Sequence, residues 1–173
     1  MPDFKDEFLA RFRWIDGHAD VLGLLADAPF LSDAVAVLAE PFMERGITKV
    51  ASVEARGFVL GGAVAVRLGA GFVAIRKPGA VFPGAKAELV TEPDWRGQTH
   101  ALQVQRAAVG ADDVVLLVDD WAERGSQATA AKALIEACGA RYAGLSLLVD
   151  ELSDETRPAL DPVHAVVSAA ELP

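Results

Sequence analysis

Positive charge is scarce in this chain: 16 lysines and arginines stand against 25 aspartates and glutamates, a net charge of −9. Affinity for a nucleic-acid backbone needs a cationic surface, so nucleic acid is not expected as a partner. There is one cysteine, Cys138, which excludes a disulfide within the chain. The histidines, His18, His100 and His164, are scattered with no spacing that a zinc site would use. No nucleophile and base stand in a recognisable hydrolase arrangement. Nowhere does an apolar run reach the length of a membrane span. The opening Met-Pro-Asp-Phe-Lys-Asp-Glu has neither the basic nor the apolar region of a secretory signal. Low-complexity tracts and internal repeats are missing as well, so disorder is not expected. The expectation is a cytoplasmic protein with no membrane partner.

What is present is a chain of 173 residues, 52 % hydrophobic, enough for one domain over 1–173 with a sizeable core. Apolar strands are expected at Lys49–Val53, Phe72–Ile75, Val114–Val118, Tyr142–Val149 and Val163–Val167. Helices fall between them: Gly57–Leu68 closed by Gly69, and Gln127–Cys138 closed by Gly139. An earlier helix is read from Ser32 as N-cap to Arg45-Gly46, with Pro41 as a kink or break. Asp16-Gly17 reads as a turn, and Glu88–Val90 with Ala101–Gln105 as two strands flanking an exposed Pro93-to-Gly97 tip. Ser153–Pro162 reads as a polar loop. Strands alternating with helices predict an α/β fold with a parallel, doubly wound sheet.

Two segments carry chemistry. The first is Val115-Leu116-Leu117-Val118-Asp119-Asp120-Trp121-Ala122-Glu123-Arg124-Gly125-Ser126-Gln127-Ala128. An apolar strand ends in two carboxylates, and a glycine-containing loop then opens a helix. Ligands in open α/β sheets bind outside the carboxyl ends of strands, and a helix start offers free N–H groups to a phosphate. Acids beside a phosphate cradle suit a phosphorylated sugar, whose hydroxyls need acceptors. Taken alone, the same acids are equally readable as helix caps. The second segment is Val50-Ala51-Ser52-Val53-Glu54-Ala55-Arg56-Gly57-Phe58-Val59-Leu60-Gly61-Gly62-Ala63. There Arg56 stands at a helix entry as a clamp for an anion, Gly57 lets the backbone approach closely, and Gly61 and Gly62 allow tight helix–sheet packing. A strand then delivers Arg76-Lys77-Pro78-Gly79. Local cations at these loop entries allow an anionic small molecule despite the acidic whole.

Together these segments, in this order over roughly residues 19 to 150, resemble the type I phosphoribosyltransferases, and among them the adenine-using branch. The resemblance implies the type I fold, with an N-terminal hood over residues 1–30 and a mobile loop over 78–100. It implies transfer of phosphoribose from phosphoribosyl pyrophosphate (PRPP) to a purine base, adenine first, releasing pyrophosphate in purine salvage. On the family pattern Asp119 and Asp120 accept the ribose hydroxyls and orient Mg²⁺, which the substrate carries. Glu123, Arg124, Gly125, Ser126, Gln127 and Ala128 hold the 5-phosphate. Glu54, Ala55, Arg56 and Gly57 bind pyrophosphate, together with Arg76 and Lys77, which in this family often reach across a homodimer interface. The hood places Trp14, Ile15 and His18 at the base, and the mobile loop offers Asp94 as general acid–base.

The sequence departs from the family in two places. After the acids the family reads Ala-Thr-Gly-Gly-Thr, whereas this chain has Glu123-Arg124-Gly125-Ser126-Gln127. Ser126 in place of glycine is expected to carry strain wherever φ must be positive. The Glu-Tyr pair of the adenine-specific loop is replaced by Asp94-Trp95. Two alternatives therefore stay open: the same chemistry on hypoxanthine, guanine or xanthine, and a PRPP- or nucleotide-binding regulator without turnover.

Overall fold

The computed structural model describes residues 4–79, 81–90, 99 and 101–173. The chain begins with helix α1 (Phe4–Arg11), a small hairpin β1 (Trp14–Ile15) and β2 (His18–Ala19), then helices α2 (Val21–Leu25) and α3 (Ala28–Ala39). Strand β3 (Lys49–Val53), helix α4 (Gly57–Leu68) and strand β4 (Gly71–Ile75) follow. A second hairpin comprises β5 (Lys86–Val90) and β6 (Ala101–Gln105). The chain continues through β7 (Val114–Glu123), α5 (Ser126–Ala137), β8 (Arg141–Glu151), the short α6 (Arg157–Leu160) and β9 (Val163–Ser168).

Five strands form one parallel sheet in the order β4-β3-β7-β8-β9. Counted along the chain within this sheet, the order is 2-1-3-4-5, so the direction of winding reverses between β3 and β7. Alternate side chains of each strand enter two separate cores. Val50, Leu116, Val118 and Leu148 pack with α3, α4 and the phenylalanines Phe4, Phe8, Phe12 and Phe30. Ala51, Val115, Leu117 and Leu145 pack with α5 and the β5–β6 hairpin. Both faces are covered, which is why the strands read as continuous apolar runs.

Several elements differ from the sequence reading. Helix α3 starts at Ala28, because the Asp27 carboxylate accepts the Phe30 N–H at 3.1 Å and Pro29 fits in the first turn. Ser32 is inside it, and Pro41 marks the break into a 3₁₀ turn at Glu40–Phe42. Within the Ser153–Pro162 stretch the chain forms α6. The Asp16-Gly17 turn is as expected: both residues have positive φ, 49° and 77°, the geometry of a tight two-residue hairpin. No helix among the described residues is long and apolar enough to cross a membrane.

Candidate active site

The β3–β7 ladder ends at the pair Ala51↔Leu117, whereas β7 continues beside β8 as far as Glu123↔Glu151. The two strands that flank the reversal therefore part company, and a cavity of about 400 Å³ opens between them. Asp119 and Asp120 lie inside β7 and not past its end, as the sequence had placed them. Acids are poor strand formers, but β8 runs alongside and pairs with Asp119, Trp121, Ala122 and Glu123, which overrides the local preference.

From β3 the chain enters the cavity as Glu54-Ala55-Arg56-Gly57 and starts α4, whose first turn receives no side-chain cap. Gly57 is required there: a Cβ would stand 2.7 Å from Asp119 Oδ1 and 3.3 Å from Ser52 Cβ. Gly61 is equally constrained, its Cβ meeting Ser52 Oγ at 1.8 Å, but a Cβ at Gly62 meets nothing within 4 Å, so only the first of these two glycines serves packing. Arg56 reaches back to Asp120, Nε to Oδ2 at 2.9 Å, and gives the helix entry an anion from within the protein.

Asp120 is buried and Asp119 partly so. Asp119 Oδ1 accepts the Asp120 N–H at 2.9 Å. Burial, reinforced by the neighbouring Asp120 charge, holds the Asp119 carboxyl well above the usual carboxylate range. Burial also raises Asp120, against the opposing pull of Arg56. Despite that ion pair, Asp120 Oδ2 has no aligned hydrogen-bond donor among the described residues. A buried acceptor left open in this way is complementary to a hydroxyl. Glu54 differs: burial works against its ionisation, but the Lys77 N–H at 2.7 Å and Arg76 Nε at 3.0 Å outweigh that and lower its pKa.

The loop between β7 and α5 settles where positive φ falls. Gly125 (φ 86°) precedes the first turn of α5 and Arg124 (φ 40°) stands before it, while Ser126 is already helical. The strain expected of Ser126 therefore falls on Arg124. Gly125 has a second constraint, since a Cβ would meet Leu152 and Thr156 at 2.7 Å. No side chain among the described residues caps α5, which leaves its first-turn N–H groups without a side-chain partner, and Gly125, Ser126, Gln127 and Ala128 at that end line the cavity. Glu123 lines the cavity from the end of β7 and is not part of the loop.

A second cavity of about 710 Å³ adjoins the first, sharing Arg56, Trp121, Glu123 and Arg124 with it. Trp14 and His18 line it from the hood hairpin; Ile15 does not and is exposed. Lys77 lines the first cavity, whereas Arg76 lines neither and is held by Glu54. Asp94 lies outside the described residues. The sequence reading passed over Trp121, which lines both cavities, and Glu151, which accepts the Trp121 indole N–H at 2.7 Å. An aromatic directly after two adjacent acids was the available signal for Trp121; Glu151 had none, because it arrives from a different strand.

Paired acids and an uncapped helix start, facing each other across the winding reversal of a 2-1-3-4-5 sheet, place the chain among the type I phosphoribosyltransferases. No protein-family model matches the chain. It is 40 % identical over 179 residues to adenine phosphoribosyltransferase of Dinoroseobacter shibae, covering 97 % of this chain and 90 % of that protein. Against the Streptomyces clavuligerus enzyme of the same name it is 39 % identical over 150 residues, covering 87 % and 83 %. The crystal structure of the Giardia lamblia enzyme complexed with 9-deazaadenine superposes with a TM-score of 0.84 at 28 % identity, covering 95 % and 97 %. The chain belongs to the adenine phosphoribosyltransferase family of enzymes.

Proposed function

We propose that this protein transfers the phosphoribosyl group of PRPP to adenine, forming the nucleoside monophosphate and pyrophosphate in purine salvage. The observation that carries this reading is the convergence of both motif loops and both acids, Asp119 and Asp120, on one cavity. The bond from the anomeric carbon to pyrophosphate breaks and a bond to a ring nitrogen forms, with oxocarbenium character between. Asp119 and Asp120 accept the ribose hydroxyls. The first-turn N–H groups of Ser126 to Ala128, with Arg124, hold the 5-phosphate, while the Gly125 N–H is taken by the Glu123 carbonyl. The turn from Glu54 to Gly57 and Lys77 hold the pyrophosphate. Arg76 joins them only by leaving Glu54. Trp14 and His18 face the base from the hood, and the 9-deazaadenine bound by the Giardia relative supports a purine there.

The donor set fits Mg²⁺, a hard cation taking oxygen ligands: Asp119 and Asp120 would hold it along with oxygens of substrate and water. When bound, it neutralises charge on the departing pyrophosphate. A homodimer is part of the same proposal. On α4 and the edge strand β4, Val59, Val66 and Phe72 are exposed, with Phe58 edge-on to Phe72 at 5.5 Å. A cluster of that kind is apt for a second copy of the chain.

The test follows pyrophosphate release with PRPP, Mg²⁺ and adenine, hypoxanthine, guanine or xanthine. Release is expected with adenine, and its loss in Asp120→Asn with the melting temperature nearly unchanged. PRPP raises the melting temperature by mass action. A thermal shift without turnover on any base turns the reading to a nucleotide-binding regulator, and no shift at millimolar PRPP overturns it.

A further inference from the structure

The second cavity contains an arrangement that phosphate binding does not use. Trp121 and Glu123 are two apart on β7, so they share a face, and Glu123 is the direct ladder partner of Glu151 on β8. Two carboxylates side by side on paired strands repel each other unless something between them donates. Trp121 does so for one: its indole N–H holds Glu151 Oε2, a diagonal contact across the ladder. Neither glutamate has an ion-pair partner among the described residues. A carboxylate accepts at both oxygens and donates at neither, so one bond to Trp121 leaves most of its capacity open. The indole itself meets Trp14 edge-on at 6.0 Å, and that contact fixes the ring plane beside the cavity.

We propose that Glu151, oriented by Trp121 and flanked by Glu123, is a specificity-determining residue that selects planar heterocycles presenting N–H donors at their edge over those presenting a carbonyl. Trp121 supplies the stacking face, and the acidic edge supplies acceptors only. The exocyclic amine of adenine satisfies this edge, whereas the carbonyl oxygen of hypoxanthine meets it acceptor against acceptor. The shared residues Arg56 and Arg124 give the trough an anionic-ligand end and a heterocycle end, which is the shape of a nucleotide. This inference rests on the base being bound in the second cavity.

Glu151→Gln replaces an acceptor-only group by one that also donates, at an exposed position where folding is not at stake. The expected result is a fall of about tenfold in kcat/KM for adenine, chiefly through KM, and a matching loss of the preference for adenine over hypoxanthine. The KM for PRPP and the thermal shift by PRPP stay as in the parent. Trp121→Phe keeps a ring and deletes the N–H, and is expected to weaken the same preference by a smaller factor. Calorimetric binding of the two bases to the PRPP complex reads the same ratio whether or not turnover occurs. If the parent binds PRPP but neither base, the placement of the base fails and this inference with it. If the parent discriminates and both variants keep its ratio within about twofold, Glu151 does not read the base, while the proposed transfer reaction stands.

Discussion

Adding one methyl group at Gly57 should separate positioning of the acids from stability of the fold. In Gly57→Ala the new Cβ would lie 2.7 Å from Asp119 Oδ1 and 3.2 Å from its Cγ, with Ser52 Cβ at 3.3 Å blocking the way back. Asp119 has to move, and with it the bond from the Asp120 N–H at 2.9 Å. Overpacking of this kind costs about 1–3 kcal/mol. Alanine in a helix returns at most about 1 kcal/mol relative to glycine. The net loss is then roughly 0–3 kcal/mol, a melting temperature lower by up to about 12 °C for a domain of this size. Catalysis should suffer more, because a displacement of about 1 Å at a positioning group can cost on the order of a hundredfold in rate. Differential scanning calorimetry and steady-state pyrophosphate release measure the two effects. Gly110→Ala is the control: its Cβ meets nothing within 4 Å, and the variant should match or slightly exceed the parent in stability at full activity. Turnover of Gly57→Ala at half the parental rate or better would refute the claim that this close contact sets Asp119.

The remaining predictions concern strain, protonation and assembly. Arg124→Gly relieves a left-handed backbone at φ 40° and should stabilise the fold by about 1 kcal/mol. The same variant should weaken PRPP binding and flatten its salt dependence, and unchanged binding by calorimetry at low and high salt would remove Arg124 from the phosphate site. Asp119 has its folded pKa raised, so its ionised form is penalised in the native state; the penalty is absent below the ordinary Asp range and grows as pH rises through it. Asp119→Asn should therefore gain melting temperature over the parent near neutral pH and lose that gain as pH falls toward 4, and a pH-independent difference would contradict the assigned burial. Val66→Glu sets a charge on the exposed face of α4 and should convert a dimer to a monomer in sedimentation, with Val81→Glu, exposed elsewhere, leaving the association state unchanged.

The sequence by itself determined the composition of the site and the order of the elements that carry it. Glycine at 57, two acids at 119 and 120, and a glycine before a helix at 125 stand in short motifs that are readable without neighbours, although what makes glycine necessary at 57 is Asp119, which only the fold brings against it. Apolar runs bounded by turns likewise disclosed all five strands of the main sheet. Tertiary structure decided what depends on a partner strand or a neighbouring side chain. Strand β7 outlasts its apolar stretch because β8 lies alongside it. Positive φ falls on Arg124 because α5 claims Ser126 for its first turn. Arg76 is drawn to Glu54 and away from the cavity, and Arg56 to Asp120, because ion pairs form between residues that only folding brings together. Glu151 joins the site for the same reason, since the ladder places it beside Glu123, 28 positions earlier in the chain. Local chemistry is written in short segments, whereas register and pairing are energies shared between distant ones, and no single segment holds them.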